Sequence, residues 1–192
     1  MGKLVRCLTT DGTVVALALD ATDIVARAEQ IHKTSAVVTA ALGRLLTAAS
    51  LMGFQLKGRD DTVTLRVDGG GPAGQIVAVS DSAGNVRGYA ANPVVEIPLR
   101  PDGKLDVGGS LGVGDLTVIK DLGLKEPYTG TIALVDGEIA DDLTAYFYIS
   151  EQQNSSVALG VKVERDLSIG AAGGMIIQML PDAQEGAVDA LE

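Results

Sequence analysis

Tryptophan is absent, aromatic residues make up only 3% of the chain, and there is one cysteine and one histidine. A single cysteine, Cys7, excludes an intrachain disulfide framework. With His32 as the only imidazole, no zinc site of nitrogen and sulfur ligands can be assembled within the chain, and no metal or other cofactor is expected in it. Basic residues are also scarce, 15 Lys and Arg against 25 Asp and Glu, for a net charge of −10. That balance opposes the counterion release that drives nucleic-acid binding and disfavours anionic bilayers, so neither nucleic acid nor membrane is an expected partner. The opening MGKLVRCLTTDG lacks the apolar segment of a secretory signal, and Arg6 stands where a myristoylation signal needs Ser or Thr. A cytoplasmic location is expected.

What is abundant is aliphatic and small: 46% of the 192 residues are hydrophobic and 24 are glycine. A chain of this length forms one compact domain able to bury a real core. KLVRCLTT and TVVALALD flank Asp11-Gly12, a hairpin signal. ATDIVARAEQIHK carries Ile24, Ala28 and Ile31 at helical spacing, with Thr22 or Asp23 as its cap and an end near Lys33. The segment from Ser35 to Lys57 is apolar on nearly every side, and Arg44 near its middle marks it as a helix enclosed by protein rather than by lipid. TVTLRV, QIVAVS and VRGYAA read as a meander. VVEIPL, KLDVGG, LTVIKD and GTIALVDG read as further short strands.

Asp141 and Asp142 favour a helix start over ADDLTAYFYISEQ, whose Leu143, Tyr146, Phe147 and Ser150 share a face. SSVALGVKVE and IGAAGGMIIQML close the pattern as two strands with a turn around Asp166. Strands and helices in unequal runs, without βαβ alternation, indicate an α+β fold. Strands apolar on both faces need cover, and one helix buried between two antiparallel sheets, in a single core domain, satisfies both requirements.

Several residues invite a chemical reading. Gly69, Gly71 and Gly74 match G-x-G-x-x-G, the spacing that cradles a pyrophosphate at a helix N-terminus. Pro72 and the β-branched Ile76, Val77 and Val79 that follow predict a strand instead of the required helix, so DGGGPAG reads as a hairpin connection. An enzyme acting on a small molecule at these glycine-rich loops, with His32 or an aspartate as base, is the alternative function. The pairs Asp60-Asp61 and Asp141-Asp142 fit turn and cap duties better than acid–base work. Lys120-Asp121 reads as a solvated ion pair, His32 as a helix-end cation, and Cys7 as a small strand hydrophobe. No catalytic residue is assigned.

GGGP after an amphipathic strand, DGKLDVGG, VIKDLG followed by EPYTG, EIADDLTAYFYISEQ with SSVALGV, and AAGGMIIQMLP occur in that order. In this the chain resembles the bacterial redox-regulated heat-shock chaperones of about thirty-three kilodaltons, a size beyond a single small domain. The resemblance runs from Leu4 to Pro181. It implies a non-enzymatic, ATP-independent holdase that binds unfolding client proteins under oxidative and heat stress, in an α+β core that usually dimerises. It also implies a division of the chain into a core, residues 1–180, and the start of a helical linker, residues 181–192. The family's zinc domain, with Cys-x-Cys and Cys-x-x-Cys, lies beyond such a core. Cys7 matches none of those ligands, so the redox switch is not expected within these residues. Asn154 departs from the proline common there. Val77 and Val79 are the candidate client contacts, since one side of QIVAVS covers the helix and the other needs a different partner.

Overall fold

The computed structural model describes residues 2–180, so the expected linker start at 181–192 lies outside the described residues. Two antiparallel sheets enclose a helix. The first sheet has the order β1-β2-β9-β8, built from β1 (Lys3–Leu8), β2 (Val14–Asp20), β8 (Ser155–Val163) and β9 (Ile169–Met179). The second has the order β5-β4-β3-β6-β7, from β3 (Thr62–Gly70), β4 (Ile76–Asp81), β5 (Val86–Ala90), β6 (Gly112–Asp121) and β7 (Tyr128–Ala133). Helices α1 (Thr22–His32), α2 (Ala36–Gly53), α3 (Val107–Leu111) and α4 (Ala140–Ser150) complete the chain. This is the α+β sandwich that the apolar pattern predicts.

α2 is long and apolar enough to cross a membrane by length and composition, yet 89% of its span is buried inside the protein. Only Ala36 and Arg44 escape full burial. It packs on β4, β5 and β3 on one side and on β8, β9 and β2 on the other. Small residues allow this closeness. A Cβ on Gly53 would lie 2.3 Å from Ser80 Oγ, and one on Gly43 would lie 2.8 Å from Val25 Cγ1. The buried hydroxyls on α2 are satisfied: Thr47 Oγ1 donates to the Gly43 carbonyl at 2.7 Å within the helix, Ser50 Oγ to the Gly84 carbonyl at 2.7 Å in the β4–β5 turn, and Thr39 Oγ1 shares a hydrogen bond with the Thr34 hydroxyl at 2.6 Å. These hydroxyls are therefore buried with their hydrogen bonds made. The helix ends at Gly53, short of the Lys57 expected from sequence, with Phe54 turning away.

Two sequence expectations are corrected. VVEIPL forms no strand: residues 94–100 have no regular secondary structure and lie outside either sheet, because Pro93, Pro98 and Pro101 punctuate the run and cannot donate to a ladder. Val95 and Ile97 still pack against the core. KLDVGG yields the short helix α3 rather than a strand, and Asp106 Oδ1 accepts from the Gly109 amide at 3.0 Å to cap it.

The cap of α1 also differs from expectation. Neither Thr22 nor Asp23 caps through its side chain; Ala21 holds the cap position. Asp20 instead accepts from the Thr22 hydroxyl at 2.7 Å and the Thr22 amide at 3.1 Å. The hydrogen bond from the Thr22 hydroxyl, then that from its amide, holds the Asp20 carboxyl below its ordinary range. A depressed carboxylate contributes stability above its unfolded pKa and loses it as pH falls through the folded pKa. Asp20→Ala is therefore expected to lower Tm by a few degrees at neutral pH, with the difference fading in acid, as a pH series of thermal melts would record.

Candidate functional site

The glycine run after β3 serves backbone packing. β3 and β4 pair antiparallel from Thr62↔Asp81 to Val67↔Ile76, so the connection is a hairpin, as the sequence predicts. The Gly71 amide donates to the Leu111 carbonyl at 2.8 Å, and the Ala73 amide to the Ser110 carbonyl at 2.9 Å. A Cβ at Gly69 would lie 2.2 Å from the Leu111 oxygen. The glycines permit two loops to touch, and these amides are occupied by protein carbonyls rather than aimed at a phosphate.

The aspartate pairs are likewise structural. Asp61 Oδ2 accepts from the Gly58 amide at 2.7 Å in a turn. Asp142 is fully buried at the start of α4. Its Oδ1 accepts from the amides of Val135 (2.7 Å), Asp136 (3.3 Å) and Gly137 (3.4 Å), and its Oδ2 from that of Ile139 (2.8 Å). Ile139 adopts a positive φ of 70° to close this loop. Asp141 beside it is exposed; partial burial and then the Asp136 charge hold its carboxyl above the ordinary range.

Lys120 does not pair with Asp121. It meets Glu151, which also accepts from the buried Tyr146 hydroxyl at 2.7 Å. Burial and the Glu151 carboxylate push the Tyr146 phenol up, so it stays a donor. Asp121 caps its own turn through the Gly123 amide at 3.1 Å. These residues form separate structural networks rather than one constellation of nucleophile, base and orienting group.

The surface tells more. On β4, Ile76, Ala78 and Ser80 face the core, and Val77 and Val79 lie half-buried on the outer face. In register beside Val77 are Arg66 and Tyr89, and beside Val79 are Thr64 and Arg87. Further across, Arg66 Nη2 donates to Thr117 Oγ1 at 3.4 Å, which also accepts from Thr131 Oγ1 at 3.2 Å. The outer face of the five-stranded sheet is thus threaded with hydroxyl and guanidinium groups.

The four-stranded sheet presents a different outer face. On β2, Val15, Leu17 and Leu19 are buried inward, and on β9 Ile176 is buried inward, which sends Ala16, Ala18, Met175 and Ile177 outward. The register lines up Cys7, Ala16, Ile177 and Ser156 in one row and Val5, Ala18, Met175 and Ala158 in the next. Val5 is 47% and Met175 44% exposed. Lys3, Asp20 and Lys162 rim this apolar centre. Glycines deepen it: a Cβ at Gly160 would meet nothing within 4 Å. A shallow hollow of about 610 Å3 is lined by Lys3, Val5, Ala18, Asp20, Ala171 and Gly173 among others. This face is thus apolar at its centre and charged at its rim.

Sequence reasoning missed this face because its rows join strands far apart in the chain. The available signal was the run of small and sulfur-bearing residues at alternate positions of IGAAGGMIIQML. His32 sits half-buried in the last turn of α1, and Cys7 is an exposed free thiol in the first row of the apolar face.

Known proteins place this architecture. The family model described as Hsp33 protein matches residues 2–192. The chain is 50% identical over 184 residues to a 33 kDa chaperonin of Clostridium tetani, covering 95% of this chain and 63% of that protein. It is 51% identical over 189 residues to the 33 kDa chaperonin of Agathobacter rectalis, covering 98% and 66% respectively. Among solved structures it resembles the 33 kDa chaperonin (heat shock protein 33 homolog) of Thermotoga maritima. The TM-score is 0.92 at 38% identity, over 97% of this chain and 64% of that one. The chain thus spans just under two thirds of the length of these relatives.

Proposed function

Because the chain belongs to the Hsp33 family, we propose that it is the client-holding core of an ATP-independent holdase chaperone and not an enzyme. The observation that carries this reading is the apolar outer face of the four-stranded sheet, centred on Val5, Ala18, Met175 and Ile177. Unfolding proteins expose apolar segments, and covering apolar surface yields about 25 cal/mol per Å2 before ordering penalties. A few hundred Å2 of contact suffices for weak, sequence-tolerant capture. Methionine suits such a surface because its unbranched, polarizable side chain adapts to many shapes. No nucleotide is called for, in keeping with the Gly71 and Ala73 amides being engaged by carbonyls.

Val77 and Val79 belong to the same reading as a smaller contact on the opposite sheet, with Tyr89 beside them as an aromatic anchor 48% exposed. Homodimerisation is part of it as well. β1 is an edge strand whose Arg6 and Leu8, in register with the inward Leu17 and Val15, are nevertheless exposed, leaving that edge open to a second chain. A cytoplasmic location, in cells under heat or oxidative stress, completes the proposal, with no redox switch assigned to these residues. The exposed thiol of Cys7 fits a reducing compartment.

The test is suppression of aggregation of a heat-denatured client. The Ala18→Glu, Met175→Glu double variant places carboxylates at the centre of the face without touching the core. It is expected to lose most of the suppression, roughly tenfold or more in effective concentration, with circular dichroism checking that the facing carboxylates leave the sheet folded. Val77→Asp with Val79→Asp is expected to produce a smaller loss. Undiminished suppression by the Ala18, Met175 variant would remove this face from the proposal, and no suppression by the parent chain at molar excess would remove the holdase reading itself.

A further inference from the structure

A cleft of about 280 Å3 opens between α2, the turn at residues 100–105 and β8. Arg44, Arg100, Lys104 and Lys162 line it, and Glu138 is the one carboxylate among the lining residues. In a chain of net charge −10 this gathering of cations runs against the overall balance. Arg44 and Arg100 approach Glu138 from two sides: Arg44 Nη1 binds Oε2, and Arg100 Nη1 binds Oε1 at 3.0 Å. Among the described residues each guanidinium uses Nη1 alone for this carboxylate, although a guanidinium carries five N–H donors in a planar fork. The Arg44 Nε is buried and has no hydrogen-bond partner among the described residues.

The lysines add mobile charge. Lys104 and Lys162 side chains are 78% and 70% exposed, paired at the surface with Asp102 (3.4 Å) and Glu164 (2.7 Å). Exposed pairs of this kind are weak enough to exchange for a better acceptor. Two forks held in place by a shared carboxylate, with two swinging ammonium groups at the mouth, match an anion richer in acceptors than a carboxylate. We propose that this cleft binds a compact phosphoanion, of pyrophosphate size, that takes the free edge of the exposed Arg100 guanidinium and the ammonium groups of Lys104 and Lys162, beside the fixed positive charge of Arg44. Glu138 acts as the resident counterion that keeps the forks oriented when the cleft is empty. The inference does not depend on the holdase reading, since it concerns a different surface and is read by ligand binding alone.

Pyrophosphate titrated into the full chain by calorimetry at low ionic strength is expected to bind at one site per chain and to raise Tm. Lys104→Ala with Lys162→Ala, both exposed and therefore harmless to folding, is expected to weaken binding at least about tenfold. Arg100→Ala is expected to do the same, with circular dichroism confirming an intact fold. Raising the salt from about 20 to about 200 mM is expected to weaken the wild type more than the lysine variant, because the lost charges carry much of the screening-sensitive term. Absence of binding to the wild-type chain overturns the proposal, and so does a lysine variant that binds pyrophosphate as tightly as the wild type.

Discussion

Asp142→Ala is expected to destabilise the protein by about 3–5 kcal/mol, enough to leave a large unfolded fraction in a domain of ordinary stability. The carboxylate is fully buried and receives the amides of Val135, Asp136, Gly137 and Ile139. Truncation leaves these donors without an acceptor in a loop that has already accepted a positive φ at Ile139. The loop follows β7, which pairs with β6, and precedes α4, whose Leu143, Tyr146 and Phe147 are buried in the core. Loss of the cap therefore uncouples a helix from a sheet. Asp142→Asn preserves one acceptor oxygen but places an NH2 group against amides, and is expected to fall between wild type and alanine. Urea unfolding read by far-UV circular dichroism measures all three. A loss below about 1 kcal/mol for alanine would mean the amides find other acceptors.

That site was half legible in the sequence. Two adjacent aspartates before an apolar helical pattern signal a helix start, and Asp142 lies at N3, where it accepts from the Ile139 amide. The backward reach of the same carboxylate to Val135 could not be read, because it depends on a turn conformation and not on a pattern. Asp20 repeats the lesson: the carboxylate that binds the Thr22 amide and hydroxyl at the start of α1 stands just outside the helix, at the end of β2, where periodicity assigns it to a strand. Asn154 was a departure from the resembled pattern, and it acts through its carbonyl, which accepts from the Met179 amide at 3.0 Å. Proline would retain that acceptor.

The candidate site was legible only in part, for a reason of topology. Residues within one strand alternate visibly, so the outward placement of Val77 and Val79 follows from QIVAVS alone. Whether an outward residue has apolar neighbours depends on which strands lie beside it. β3 and β4 are consecutive, and their shared outer face carries Thr64 and Arg66 in register with those valines. The rows through Ala18 and Met175 join β2 to β9, and nothing local announces that pairing. Lys120 was misassigned for the same reason, since its partner Glu151 comes from beyond α4 rather than from the next residue.

Ala48→Asp is expected to have a still larger effect than the loss of the Asp142 cap, about 4–5 kcal/mol or more, and to abolish folding at ordinary temperature. Ala48 is completely buried at the middle of α2, between the two sheets. The neighbouring buried hydroxyl of Thr47 is already engaged with the Gly43 carbonyl, leaving no donor prepared for a carboxylate. The acid must either ionise in an apolar interior or fold protonated, and the second route raises its pKa and makes stability fall with rising pH. Ala36→Asp supplies the contrast on the same helix. Ala36 is only partly buried at the first helical position, where no acidic residue now stands and a carboxylate interacts favourably with the helix dipole. It is expected to be neutral or slightly stabilising. The dipole at position 36 accounts for only about 0.3–1 kcal/mol of the difference between the two, so the remainder reports enclosure by the sheets. Equal tolerance of both would mean that α2 is not sandwiched, and the outward faces of the two sheets would lose the scaffold that orients them.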